Sequence, residues 1–252
     1  MPKLVEINRY PVKSLPADSV DHADIVAGQG MPGDRLLAIT TGAKPFDPAP
    51  ARFWPKTDFL TVMGYPAMAA LGARYDMPAG RVQLAVPGEA GQALALRDPG
   101  LADAMKTYLQ LPADWQPRLV VAGARRFADA GVESPRLGES LSLINLATLR
   151  DIESRIGIAL DPRRFRANFY IDDAAPWVEF DWLDQQFRIG GTDFTGLVKT
   201  PRCLAIDANP ATGLRERPLL KEFRAAYGHG YCGIQIEANN SGPVRLGDTL
   251  VA

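Results

Sequence analysis

Lys199-Thr200-Pro201-Arg202-Cys203 places one of the chain's two cysteines directly after an arginine and close behind a lysine. Nearby positive charge favours thiolate over thiol, and a thiolate is a nucleophile or a ligand for a soft metal. The bland alternative is a small buried residue on a strand whose charged neighbours point to the other face. Cys232 lies in an apolar stretch without an adjacent Lys or Arg and reads as a packing residue. Two further stretches offer cations. Lys13-Ser14 presents an ammonium and a hydroxyl to an anion, or simply solvated surface. Arg163, Arg164 and Arg166 offer guanidinium forks that match phosphate oxygens, or a salt-bridged surface.

The elements that must position these groups follow from periodicity. Residues 3–12 alternate around Val5 and Ile7 and predict a strand ending at Pro11-Val12-Lys13-Ser14. Gly28-Gln29-Gly30-Met31-Pro32-Gly33 satisfies GxGxxG, but the β-like run Leu36–Thr40 follows it where a dinucleotide site needs a helix. It reads as a glycine-rich turn, with Asp34 and Arg35 opening the next strand. Residues 41–56 form an irregular, proline-rich excursion whose Phe46, Phe53 and Trp54 pin it to the body or cover an opening; pinning is favoured. Residues 81–86 predict a strand, and Asp98-Pro99 opens a helix with Leu101, Ala104, Met105, Tyr108 and Leu109 on one face. The break at Leu111–Asp114 divides the chain into 1–113 and 114–252.

Arg118–Val121 predicts the first strand of the second part. Ser142 and Asn145 then stand at the start of a helix with apolar Leu146, Leu149, Ile152 and Ile156, closed by Gly157. A helix start receives phosphate on its free N–H groups, although capping alone explains Ser or Asn there. Trp177–Glu179, Phe187–Ile189 and Phe194–Val198 read as short strands; Pro218 begins a helix ending at Gly228; Tyr231–Glu237 and Val244–Val251 close the chain. Short strands with frequent turns and few helices predict a mainly β, α+β protein with a barrel-like sheet.

Composition limits the function. At 252 residues and 46% hydrophobic the chain buries a core of one large or two modest domains. A net charge of −1 gives no global field for nucleic acid or an anionic membrane, so local clusters must bind any anion. Two cysteines make no disulfide framework and two histidines no multi-histidine zinc site. The N-terminus lacks a signal-peptide core and no apolar run nears the ~18 to 20 residues of a membrane span. The expectation is a cytoplasmic protein without a membrane anchor.

YPVKS (10–14), GDR (33–35), RFRAN (164–168), APWVE (175–179) and PRC (201–203) with the following NPATG (209–213) occur in an order that resembles the MOSC family, proteins similar to the C-terminal domain of molybdenum cofactor sulfurase. The resemblance spans nearly the whole chain. It implies a β-barrel-like MOSC domain at 114–252, preceded by a smaller β-rich N-terminal domain at 1–113. It also implies a molybdenum cofactor with Cys203 as the metal's protein ligand and catalytic residue, and Lys13, Ser14, Arg35, Ser142, Asn145, Arg166, Asn168 and Arg202 as cofactor contacts beside it. Ala167 stands where the family more often has proline, which loosens that loop. Members similar to the mitochondrial amidoxime-reducing component reduce N-hydroxylated compounds, so the resemblance implies a small N-oxygenated substrate. Without a four-cysteine motif no iron–sulfur cluster is expected in this chain, and electrons arrive from a separate donor protein, 2Fe-2S or flavin-bearing. Thr200-Pro201 replaces the Cys-Ser of the best-known reductases. The alternative is a cofactor or persulfide carrier using the same cysteine; a barrel that has lost its cofactor is a third.

Overall fold

The computed structural model describes residues 1–48, 54–88, 91–123 and 125–251; Phe53 lies outside them. In the first half come β1 (Lys3–Arg9), β2 (Asp18–Val20), β3 (His22–Ile25), β4 (Leu37–Ile39), β5 (Gly72–Asp76), β6 (Arg81–Ala85), β7 (Gln92–Ala95) and helix α1 (Gly100–Tyr108). Next are β8 (Leu119–Val121), the single turn α2 (Pro135–Gly138), β9 (Leu141–Asn145), α3 (Leu146–Ile156), β10 (Phe169–Asp172), β11 (Gln186–Ile189) and β12 (Thr192–Pro201). The chain closes with α4 (Leu219–Tyr227), β13 (Tyr231–Ala238), β14 (Gly242–Arg245) and β15 (Leu250–Val251).

Eight strands form the main sheet in the order β15-β11-β12-β13-β9-β10-β1-β2. The sheet curls until its ends meet: Leu4 N–H donates to the Asp248 carbonyl at 2.9 Å, and Leu250 N–H to that of Pro2 at 2.8 Å. Alternation along each strand fills the inside with Leu4, Ile7, Leu141, Leu143, Phe169, Ile171, Phe187, Phe194, Ile234 and Ile236. The opposite face of β9, β10 and β13 is also buried. There Ile144, Tyr170 and Cys232 pack under Leu149 and Ile152 of α3 and Phe223 of α4. Burial on both sides explains why β9 has no exposed residue.

The first-half elements build a second core around Leu15, Leu60, Met68, Leu71, Val82, Leu84, Leu101 and Met105. Its three-stranded sheet β5-β6-β7 is separate, whereas β1 and β2 belong to the main sheet and β4 pairs with β8. The result is the α+β fold with a curled sheet and smaller β-rich sheets that the strand pattern predicts. The excursion is pinned: Trp54 lies 4.9 Å from Phe127 and 6.5 Å from Phe59, ring centre to ring centre, and Phe46 5.9 Å from Phe59.

Several local expectations need correction. A bulge between Leu4 and Glu6 puts Leu4 inside and Val5 out, breaking the simple alternation. In α1 the buried positions are Leu101, Ala102 and Met105, so the apolar stripe runs through Ala102 in place of Ala104. Ser142 lies within β9, because the buried run Leu141–Asn145 pairs with both β10 and β13. Trp177–Glu179 is no strand. Trp177 takes a left-handed φ of 69° and caps a 3-10 turn, Val178–Trp182, held by Thr148 Oγ1 accepting from Trp177 N–H at 2.8 Å.

The GxGxxG stretch is a turn between β3 and β4. Arg126 clamps it by donating to the carbonyls of Gln29, Met31 and Asp34 while pairing with Glu139 at 2.8 Å. Gly30 has φ +65°, and a Cβ there would lie 2.6 Å from the Glu139 carbonyl, so its glycine serves close packing and not a phosphate.

Candidate functional site

β12 runs out at Pro201 and the chain turns into a 3-10 segment, Leu204–Asp207, with Cys203 at its start. That exit takes Cys203 out of the sheet and leaves it half-buried, whereas Cys232 is fully buried. The strand-core alternative therefore describes Cys232 and not Cys203. Burial pushes the Cys232 thiol up to about 12, against the opposing influence of Arg202.

Cys203 opens onto a cavity of about 220 Å³ between the two halves. Eight of the nine residues singled out from the sequence line it: Lys13, Ser14, Arg35, Ser142, Arg166, Asn168, Arg202 and Cys203. Asn145 does not. Its Oδ1 accepts from Ala147 N–H at 3.0 Å and its Nδ2 donates to the Ala175 carbonyl at 2.8 Å, so it caps α3. The enclosed volume is below the ~300 to 1,000 Å³ of ordinary ligand pockets, so a larger ligand extends out of it.

The N-terminal wall is assembled by backbone pairing. Lys13 N–H donates to the Leu37 carbonyl and Arg35 N–H to that of Tyr10, each at 2.7 Å, which brings two sequence-distant cations together. Ser14, Arg35 and Arg166 all have left-handed backbone, with φ of 66°, 51° and 54°. Such strain persists only where surrounding contacts enforce it, and here they do. Arg35 pairs with Asp34 and Arg166 donates to the Leu15 carbonyl at 2.7 Å. Both guanidiniums lie by the Tyr10 ring, 5.1 and 4.4 Å from its centre. Burial raises Tyr10 to about 12 despite them.

Asn168 staples the two halves. Its Oδ1 accepts from Ser142 N–H at 3.0 Å and from Ser142 Oγ at 3.1 Å, while its Nδ2 donates to the Asn8 carbonyl at 3.1 Å and to Asp34 at 3.3 Å. These bonds occupy the amide, so Asn168 and Ser142 shape the wall through each other. Ala167 keeps an N–H that a proline would lack, and donates it to Tyr170 Oη at 3.3 Å. The loop is held by that bond and by Tyr10 Oη donating to the Ala167 carbonyl at 3.2 Å.

The charges next to Cys203 in sequence are not those that face it. Lys199 sits 4.5 Å from the centre of the Phe180 ring and is absent from the cavity wall. Arg202 is buried, donating through Nε to the Cys232 carbonyl and through a terminal nitrogen to the Phe165 carbonyl, each at 2.9 Å. Lys56, from the excursion, takes the vacant role. Burial lowers its pKa, but Asp129 at 3.2 Å, Cys203 and Glu133 outweigh that and raise it above the ordinary value. Asp129 also pairs with Lys13, whose Nζ donates to the Phe127 carbonyl at 2.8 Å. Burial raises Asp129, yet the two lysines override it and hold the carboxyl at about 2. Six cationic side chains face two carboxylates, Asp129 and Glu133, in this wall. The cavity sets an excess of positive charge beside a thiol.

Sequence reasoning missed Lys56, Asp129, Gln235 and Ser140. Ser140 Oγ donates to Gln235 at 2.8 Å and Gln235 Nε2 to Thr200 Oγ1 at 3.1 Å, a polar strip along one side of the cavity. No local pattern marks these residues; the tertiary fold gathers them.

The sequence matches no curated protein. Among solved structures, the YUAD protein from Bacillus subtilis is 14% identical, with 99% of this chain and 94% of that one covered at a TM-score of 0.49. YiiM from Geobacillus stearothermophilus is 15% identical over 44% of this chain and 52% of its own, at a TM-score of 0.33. Residues 131–251, which hold most of the curled sheet and Cys203, match the model of the MOSC domain, so this part of the chain is a MOSC domain.

Proposed function

We propose that the Cys203 cavity receives the phosphate-bearing pterin of a molybdenum cofactor, with the Cys203 sulfur as the protein's ligand to the metal. The loaded protein removes oxygen from N-hydroxylated or N-oxide compounds with two electrons from a separate donor protein. The observation that carries this reading is a half-exposed thiol set among six cationic side chains in one cavity.

The residues fit such a group. Among the described residues no cluster of three or more His, Cys, Asp and Glu could hold a metal ion. A metal here therefore needs donors besides Cys203, and a dithiolene cofactor brings its own soft sulfurs. Arg166 has no carboxylate among its hydrogen-bond partners, so its charge is available to a phosphate, while Lys13 and Arg35 are steadied by Asp129 and Asp34. When bound, the cofactor supplies the two-electron chemistry. Lys56, partly exposed and facing Cys203, is placed to give a proton as the substrate's oxygen leaves as water.

The test is protein purified from hosts able and unable to make the cofactor, assayed for molybdenum, pterin and reduction of an N-hydroxylated model compound by reduced viologen. Turnover is expected only in molybdenum-loaded protein; Cys203→Ser abolishes it and Cys232→Ser retains it. Bound cofactor without turnover identifies a carrier, and no molybdenum from a competent host identifies an inert barrel. Full activity in Cys203→Ser with metal retained overturns the assignment.

A further inference from the structure

A second cavity, about 510 Å³, lies behind the arginines of the first and shares Arg164, Arg166 and Ala205 with it. Its lining includes Met68, Leu71 and Ala73 of the first-half core and the rings of Tyr10 and Tyr170. Three arginines and one carboxylate, Glu6, are in this lining; Glu6 is exposed and accepts from Asn8 Nδ2 at 3.2 Å. Arg163 is occupied by Asp161, to which its Nε donates at 2.9 Å. Arg164 is different. One terminal nitrogen donates to the Ile206 and Asp207 carbonyls at 3.0 and 3.2 Å, while its buried Nε has no hydrogen-bond partner. A buried N–H left unpaired is unfavourable, so an acceptor brought to it is favoured. Nε and the second terminal nitrogen form the side of a guanidinium that holds a carboxylate with two parallel bonds.

We propose that this second cavity is a separate site for a small aromatic carboxylate, its anionic end on the unpaired Nε side of Arg164 and its flat body against the Met68–Ala73 wall. Size and lining agree with that class: the volume is within the range of ordinary ligand pockets, which are mostly apolar with a few polar anchors. The inference goes beyond the cofactor reading and does not rest on it.

The experiment is calorimetric titration of the full chain with 2-naphthoate and with its neutral counterpart 2-naphthylmethanol. The carboxylate is expected to bind about tenfold more tightly or better, and Arg164→Gln to erase that preference. Ala73→Phe fills the cavity and weakens both probes about tenfold; Ala69→Phe gives the same reading if the first variant fails to fold. Blocking Cys203 with iodoacetamide leaves naphthoate affinity unchanged. Equal affinity for the two probes overturns the proposal, as does binding that survives Ala73→Phe in folded protein. Loss of binding on Cys203 alkylation places the ligand in the first cavity and also overturns it, whatever the outcome for molybdenum.

Discussion

The surroundings of Cys203 and of Cys232 contain the same parts, a thiol and an arginine, arranged to opposite ends. Around Cys232 everything is spent on the fold: the thiol is fully buried beneath the helices, and Arg202 satisfies the Cys232 and Phe165 carbonyls. Around Cys203 the parts are left over. The thiol is half-buried, Arg166 has no carboxylate hydrogen-bonded to it among the described residues, and Lys56 reaches in from the other half of the molecule. Adjacency in sequence therefore assigns the arginine to the wrong cysteine. A buried guanidinium must satisfy its donors wherever carbonyls are found, and those nearest Arg202 lie on β13 and before Arg166.

The largest contrast is in reactivity. Iodoacetamide at pH 8 should alkylate Cys203 about 100-fold faster than Cys232 or more, because Cys232 reacts only after local opening and its thiol is held up at about 12 by burial. Peptide mass spectrometry over time reads both rates, and comparable rates would dissolve the distinction between the two regions.

Next in size is the arginine pair. Arg202→Ala strands two buried carbonyls and should cost about 3 kcal/mol in chemical denaturation. Arg166→Ala loses one carbonyl bond and the Tyr10 contact but sheds a desolvated charge, and should cost about 1 kcal/mol. If the cofactor reading holds, the same change lowers cofactor occupancy about tenfold under limiting supply. Equal stability losses would make Arg166 as structural as Arg202.

The smallest effect sharpens the electrostatics of the cavity. Asp129 has a folded pKa depressed to about 2, so the stability it contributes is present above its unfolded pKa and is lost as pH falls through about 2. Its side chain is 46% exposed, and screening trims the contribution to about 1 kcal/mol. Asp129→Asn should therefore lower stability by that amount at pH 7, with the difference shrinking from pH 4 towards pH 2. A difference independent of pH would show that shape and not charge is the role of Asp129.

Much of this was legible in one dimension. The strands that begin at Lys3, Leu37, Arg81, Leu119, Gln186, Thr192 and Tyr231, the two helices closed by Gly157 and Gly228, the turn at the GxGxxG stretch and the buried Cys232 follow from periodicity and breaker residues, which act over a few neighbours. The misreadings share a cause. Ser142 reads as a helix start because the helix signal begins only three residues later, whereas pairing on both sides draws it into β9. Trp177–Glu179 has a strand's composition, but Thr148 on α3 captures the Trp177 N–H and turns it.

By itself, then, the sequence determined many of the elements and the α+β class, since these are decided by short-range sterics and period. Only the tertiary structure decided which groups face one another. Curling the sheet turned Lys199 away from the cavity, buried Arg202 under Cys232 and brought Lys56 and Asp129 to Cys203 across more than seventy residues of chain. Those partnerships are set by strand register and by the need to pair buried donors, and neither is written within any local window.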